Sequence, residues 1–113
     1  MHADDAARQA IYAELQRVAR AGRTTTYRTL AALTGLDLDR PPDRDALAGT
    51  LRAISTAEHQ QGRPLISAVV VLGGRRLPGA GFFALARELG RHTGADDAAF
   101  HRQELAQVHA TWR

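Results

Sequence analysis

The 113-residue sequence predicts an α+β fold: a winged helix-turn-helix with extra N- and C-terminal helices, in one domain over residues 1–113. Three observations predict it. The stretch Gly22 to Leu36, GRTTTYRTLAALTGL, reads as a short helix with both ends punctuated. Asp43, directly after Pro41-Pro42, reads as the start of a second helix. The β-branched run Pro64 to Leu72 leads into Gly73-Gly74-Arg75-Arg76, a turn suited to the tip of a β-ribbon.

Each element follows from its residues. From Asp5 to Ala21, Ala7, Ile11, Leu15 and Val18 recur at helical spacing, with Asp4 or Asp5 as the expected N-cap and Gly22 as the stop. Arg8, Arg17 and Arg20 then fall on solvated or groove-facing surface. Arg23 to Thr25 is β-prone and is expected to form a short first strand. Thr26 is the natural N-cap of a helix Tyr27 to Thr34, because its hydroxyl can accept from a first-turn amide, and Gly35 supplies a left-handed C-cap. Leu30 and Leu33 give that helix one apolar side.

Leu36 to Pro42 is expected to be a turn, with Asp37 and Asp39 in it. In the helix from Asp43, Leu47, Leu51, Ile54 and Glu58 share a core-facing side. Arg44, Ala48, Arg52, Ser55 and His59 form the neighbouring stripe. Gly62 ends the helix, Pro64 to Leu72 is expected to be a continuous strand, and Leu77 a short return strand that Pro78-Gly79-Ala80-Gly81 terminates. Phe82 to Leu89 reads as a helix capped by Gly90. Asp96 or Asp97 begins a last helix whose Phe100, Leu105, Val108 and Trp112 fold back onto the core.

Bulk composition narrows the function classes. A chain of this length buries one core without staples. The absence of Cys removes disulfides, thiolate metal sites and cysteine nucleophiles. The start MHADDAARQ lacks the basic and apolar regions of a signal peptide, and no apolar run has membrane-spanning length, so a cytoplasmic protein with no membrane partner is expected. All 15 basic residues are arginine and the formal net charge is +3. Arginine pairs bidentately with phosphate and with guanine edges, so clustering matters more than the total. An all-arginine basic set can equally reflect genome composition.

The segments TTTYRTLAALTG, LAGTLR, RPLISAVVVLGGRRLPGAG and LARELG together resemble the winged-helix DNA-binding domain of the O6-alkylguanine-DNA alkyltransferases and their catalytically dead alkyltransferase-like relatives. The similarity runs from Gly22 to Gly90. It implies that Tyr27 matches the tyrosine that helps rotate a nucleotide out of the duplex. It also implies that Ala48-Gly49 matches the small residues that let the recognition helix approach the minor groove. Arg44 lies one position from the family's stack-filling arginine, and Asp45 holds the matching place. The family's Pro-Cys-His-Arg segment is replaced by Pro64-Leu65-Ile66-Ser67, which lacks the catalytic Cys. A serine without an activating base cannot replace a thiolate, so alkyl transfer is excluded. The chain also resembles small uncharacterised bacterial proteins, through Gly62 to Val71 and Pro78 to Phe82, and these imply no activity.

The candidate nucleic-acid-binding residues are Tyr27, Arg44, Arg52, Ser55, Arg75 and Arg76. Each has a plainer reading: a solvated arginine surface for the four arginines, a half-buried aromatic for Tyr27. Gly79-Ala80-Gly81 could offer amides to an anion or simply form a turn. His101, Glu104 and His109 are expected on a solvated helix face, because His109 lies two turns from His101, too far to share one metal ion. His59 and His92 stand isolated. No catalytic triad order, phosphate loop or zinc spacing occurs, so no enzyme, no cofactor and no metal is expected. The leading expectation is a non-enzymatic protein that binds double-stranded DNA, regulatory or related to lesion sensing. The alternative is a protein partner or homodimer docked through the C-terminal helix and Trp112. The acidic Asp37, Asp39, Asp43 and Asp45 beside the recognition helix favour that alternative.

Overall fold

In the computed structural model, which describes residues 3–113, helix α1 spans Ala3–Arg20. Asp4 and Asp5 both lie inside α1, so neither is its N-cap. Ile11, Leu15 and Val18 are buried on one face, as their spacing requires, and Arg8, Arg17 and Arg20 are exposed. Strand β1 covers only Thr25–Thr26, shifted from the expected Arg23 to Thr25. Helix α2 is Tyr27–Thr34. The Thr26 hydroxyl accepts from the Thr29 amide at 3.1 Å, and Gly35 takes φ 72°, a left-handed backbone that glycine adopts without a Cβ penalty. Leu30 is fully buried, but Leu33 turns outward and is 53% exposed, so the expected two-leucine apolar side is half right.

Helix α3 runs Pro41–Gln60 and begins two residues before the expected Asp43. Both prolines sit in the first turn, where no intrahelical N–H is needed. Asp43 is inside the helix and its carboxylate accepts from the Asp37 amide at 2.9 Å, while Asp37 accepts from the Asp39 amide. Two of the four acidic side chains beside this helix thus brace the turn that leads into it. Leu47, Leu51, Ile54 and Glu58 are buried, as their stripe predicted.

The largest departure is Pro64 to Leu72. It forms no continuous strand: a 3-10 helix, Ile66–Val69, leads into strand β2, Val70–Val71, which pairs in parallel with β1. The registers are Thr25 with Val70 and Thr26 with Val71. Leu65, Ile66, Ala68, Val69 and Val70 are all at 0% exposure, enclosed by α1, α3 and the last helix. The expected return strand at Leu77 is likewise absent; one bond from the Leu72 amide to the Leu77 carbonyl, 2.8 Å, closes a turn instead. Helix α4 is Ala80–Glu88, and helix α5 is Asp97–Trp112 with Asp96 as its N-cap, accepting from Ala99 N. Among the described residues the fold is therefore α+β in a loose sense: five α-helices around a buried 3-10 segment, with a two-stranded parallel sheet.

That buried segment lacks a sheet ladder, so its backbone polar groups need other partners. Three side chains supply them. Glu104 Oε2 accepts from the Leu65 amide at 2.8 Å, Ser55 Oγ accepts from the Ser67 amide at 3.1 Å, and His101 Nε2 lies 2.8 Å from the Ala68 carbonyl oxygen. All three are buried, which corrects the expectation of Ser55 on a groove stripe and of His101 and Glu104 on a solvated face. His109, on the outer part of α5, lies 3.0 Å from the Arg23 carbonyl oxygen. His92 is not isolated either: its ring stacks on Phe100 at 4.5 Å and its Nε2 stands 2.8 Å from Asp97.

Trp112 packs inward. Its ring meets Tyr12 edge-on at 6.2 Å between centroids, with the Arg20 and Arg63 guanidinium groups 5.7 and 5.9 Å from its centre. Beneath it, the buried Glu58 accepts from Tyr12 Oη and from Arg63 Nε, the latter at 2.5 Å. Burial, and then the bond to Glu58, raises the Tyr12 phenol above its ordinary value.

Candidate nucleic-acid interface

α2, α3 and α4 enclose an open cavity of about 510 Å3. Its wall on the α3 side carries Arg44, Ala48 and Arg52 of the stripe expected from the sequence, with Gly49 beside them. Leu47, Leu51, Phe82 and Leu85 form the apolar floor, and Tyr27 and Ser67 contribute hydroxyls. Leu72 is at the edge, 39% exposed, and the Arg75-Arg76 turn begins there. The structure therefore brings Tyr27, Arg44 and Arg52 to one mouth and places Arg75 and Arg76 on the turn that starts beside it, without lining it.

Tyr27 is held in place by chemistry at both ends of the ring. It follows the N-cap residue Thr26, so its backbone is fixed by the first turn of α2. Its Oη accepts from the Gly79 amide at 2.8 Å, tying α2 to the residue that precedes α4. Burial raises the Tyr27 phenol, and the Gly79 bond offsets part of that rise, so the hydroxyl stays protonated and retains one hydrogen to donate. Gly79 itself is committed to this bond, which leaves the Gly79-Ala80-Gly81 run as a helix start, and an added Cβ there would sit 3.4 Å from Tyr27 Oη.

Ser55 is removed from the set. It is fully buried, and its Oγ pairs with Ser67 Oγ at 2.6 Å. Ser67, at 6% exposure, is the serine that reaches the cavity. Among the described residues this pair has no histidine or carboxylate hydrogen-bonded to it, so it lacks the base a nucleophile needs.

The arginines differ in their freedom. Arg52 pairs with Glu88 on α4, both side chains about half exposed, and such surface pairs contribute ~0.5 kcal/mol. Arg44 has no ion-pair partner among the described residues. Arg75 and Arg76 are exposed, and Arg76 adopts φ 56°, a left-handed conformation uncommon for a side chain of this size. Both of their amides donate to the Leu72 carbonyl oxygen, which holds the turn shut and both side chains outside it.

Gly49, which the resemblance pairs with Ala48, lies on the same exposed surface. A glycine inside a helix costs about 0.5–1 kcal/mol relative to alanine, and a Cβ added at Gly49 meets nothing within 4 Å. Nothing inside the molecule requires it. Gly49→Ala is therefore expected to raise stability by about 0.5–1 kcal/mol in a thermal or urea melt.

Among the described residues no group of histidines and carboxylates is arranged to hold a metal ion, and no helix is long and apolar enough to cross a membrane. The fold and the site define a small helical domain with an arginine-rimmed apolar cavity. Comparison of the chain with protein-family models, with curated proteins and with solved structures finds no match.

Proposed function

We propose that this chain binds double-stranded DNA without performing chemistry on it, as a helix-turn-helix unit of winged type whose wing is reduced to the Leu72 to Leu77 turn. One observation carries the reading: Arg44, Ala48, Gly49 and Arg52 occupy a single exposed face of α3, with the Arg75-Arg76 turn springing from its border. The small pair admits a close approach, and the flanking arginines are placed for phosphates on either side. With Leu65 where the resembling family carries its Cys, and Ser67 without an activating base, the site has no nucleophile to accept an alkyl group, so the role we propose is regulatory or lesion-sensing. A cytoplasmic location belongs to the same reading.

Duplex binding measured by fluorescence anisotropy across a salt series tests this. With each of the four arginines on one phosphate, log K should fall against log salt with a slope of about −3.6, and the Arg75→Ala, Arg76→Ala double variant should lose about half of that slope. Affinity at low salt should drop about tenfold or more in the double variant. Alanine tolerates a left-handed φ no better than arginine, so the turn itself is not relieved by the change. Absence of duplex binding at low ionic strength sinks the proposal.

A protein partner or second copy is the competing reading, and its expected adhesive has moved. Trp112 is enclosed by Tyr12 and two arginines, and α5 turns His101, Glu104 and Val108 inward. What favours docking instead is the exposed Leu33 on α2. Concentration-dependent association that Leu33→Gln abolishes, with no duplex binding, would favour this reading.

A further inference from the structure

We propose that the cavity between α2, α3 and α4 is a binding site for a small molecule with an apolar body and a single anionic group, of the type of an aromatic carboxylate. The cavity volume of about 510 Å3 lies within the range of small-molecule sites, about 300–1,000 Å3. Its interior is apolar, with Leu47, Leu51, Phe82 and Leu85 forming the floor. Of the two hydroxyls there, Ser67 Oγ is paired with Ser55, while Tyr27 Oη accepts from Gly79 and keeps a single hydrogen to donate. A polar heterocycle buried here would leave most of its ring nitrogens and carbonyls without partners, at about 1–3 kcal/mol for each. An apolar body carries no such cost.

The charge at the mouth decides the remaining chemistry. Arg44 and Arg52 stand eight residues apart on one helix, which places them ~12 Å apart along its axis. Arg52 is held by Glu88, whereas Arg44 has no ion-pair partner among the described residues. Among the described residues no acidic side chain lines the cavity. The ligand's anionic group therefore pairs with Arg44, and its body lies along α3 towards Phe82.

The site is independent of DNA binding. Its regulatory consequence rests on the duplex reading above: a ligand anion on Arg44 occupies a phosphate contact, so ligand and duplex compete.

Titration calorimetry of the full chain tests the site, with 2-naphthoate as probe and 2-naphthylmethanol as its uncharged counterpart. Naphthoate should bind one to one and about tenfold or more tighter than the alcohol, the gain of one charge-assisted pair. Arg44→Gln should bring naphthoate down to the level of the alcohol. Ala48→Phe, at an exposed position on the mouth, should abolish binding of both. No saturable naphthoate binding, equal affinity for the two probes, or full binding in Ala48→Phe overturns the proposal. Should Ala48→Phe fail to fold, the Arg44→Gln comparison decides alone. Saturating naphthoate should also weaken duplex binding, and undiminished duplex affinity overturns the competition. Naphthoate binding with no duplex binding at any salt leaves the ligand site standing and removes the DNA reading. Duplex binding without naphthoate binding does the reverse.

Discussion

Truncation after Gly94, which removes α5, should abolish cooperative unfolding altogether. Helix α5 is not an appendage on a self-sufficient core. Val108 is fully buried in that core, and Phe100 covers the His92 ring. More important are the polar groups α5 leaves behind. Without Glu104 the Leu65 amide has no acceptor, and without His101 the Ala68 carbonyl loses its partner. Each orphaned buried group costs about 1–3 kcal/mol, and loss of one buried valine contact adds about 1.5–3 kcal/mol. Those losses alone come to several kcal/mol, comparable to the lower part of the 5–15 kcal/mol by which a domain is ordinarily stable. Circular dichroism of the truncated chain should show a sloping melt with no sigmoid and lost near-ultraviolet signal. A sharp transition would mean that α1 and α3 alone pin the 3-10 segment. One consequence is methodological: this truncation cannot separate DNA binding from docking through α5, because both would be lost with the fold.

What was legible beforehand divides along a physical line. Caps are local, and Thr26, Gly35 and Asp96 all act as their residue types require. Helical stripes are also local, which is why Ile11, Leu15 and Val18, or Leu47, Leu51 and Ile54, are buried as expected. Pro64 to Leu72 failed for the opposite reason. A segment buried on every side shows no periodicity, so its β-branched residues could not reveal that helices, rather than strands, surround it. The error then spread to Ser55, His101 and Glu104. Had Pro64 to Leu72 been a ladder strand, its amides would have been satisfied by other strands and these three residues would have been free to face solvent. Because it is a 3-10 segment enclosed by helices, they are drawn inward as its hydrogen-bond partners.

The site was partly legible on the same grounds. Arg44, Ala48 and Arg52 fall on one stripe of α3 by helical arithmetic, and they do line one cavity. Ser55 lies on the same stripe but further along α3, where the helix passes over the buried segment, and it takes a structural role instead. Tyr27 was marked by resemblance alone; its bond to Gly79 joins residues 52 apart, a contact that local spacing cannot disclose. The signal available for Gly49 was an unexplained mid-helix glycine, which costs stability wherever it is not needed.

Glu104→Ala should cost about 3–5 kcal/mol, the loss expected when one member of a buried charged pair is deleted. The residue is 3% exposed and serves two partners at once: the Leu65 amide, at 2.8 Å, and Arg91, whose Nε donates at 2.8 Å and Nη2 at 3.2 Å. Two substitutions separate the roles. Glu104→Gln keeps a carbonyl oxygen for the Leu65 amide and gives up the charge, so it should cost about 1–2 kcal/mol. Arg91, 22% exposed at its side chain, can turn to water when Glu104 is removed, whereas Arg91→Ala leaves the buried Glu104 carboxylate without its counter-charge and should itself cost about 3–5 kcal/mol. Urea unfolding of the two single variants and their double completes a thermodynamic cycle. If Glu104 acts chiefly as the anchor of the Leu65 backbone, the double variant should be little worse than Glu104→Ala alone. Equal costs for Glu104→Gln and Glu104→Ala would instead make the ion pair dominant and leave the 3-10 segment to Ser55 and His101.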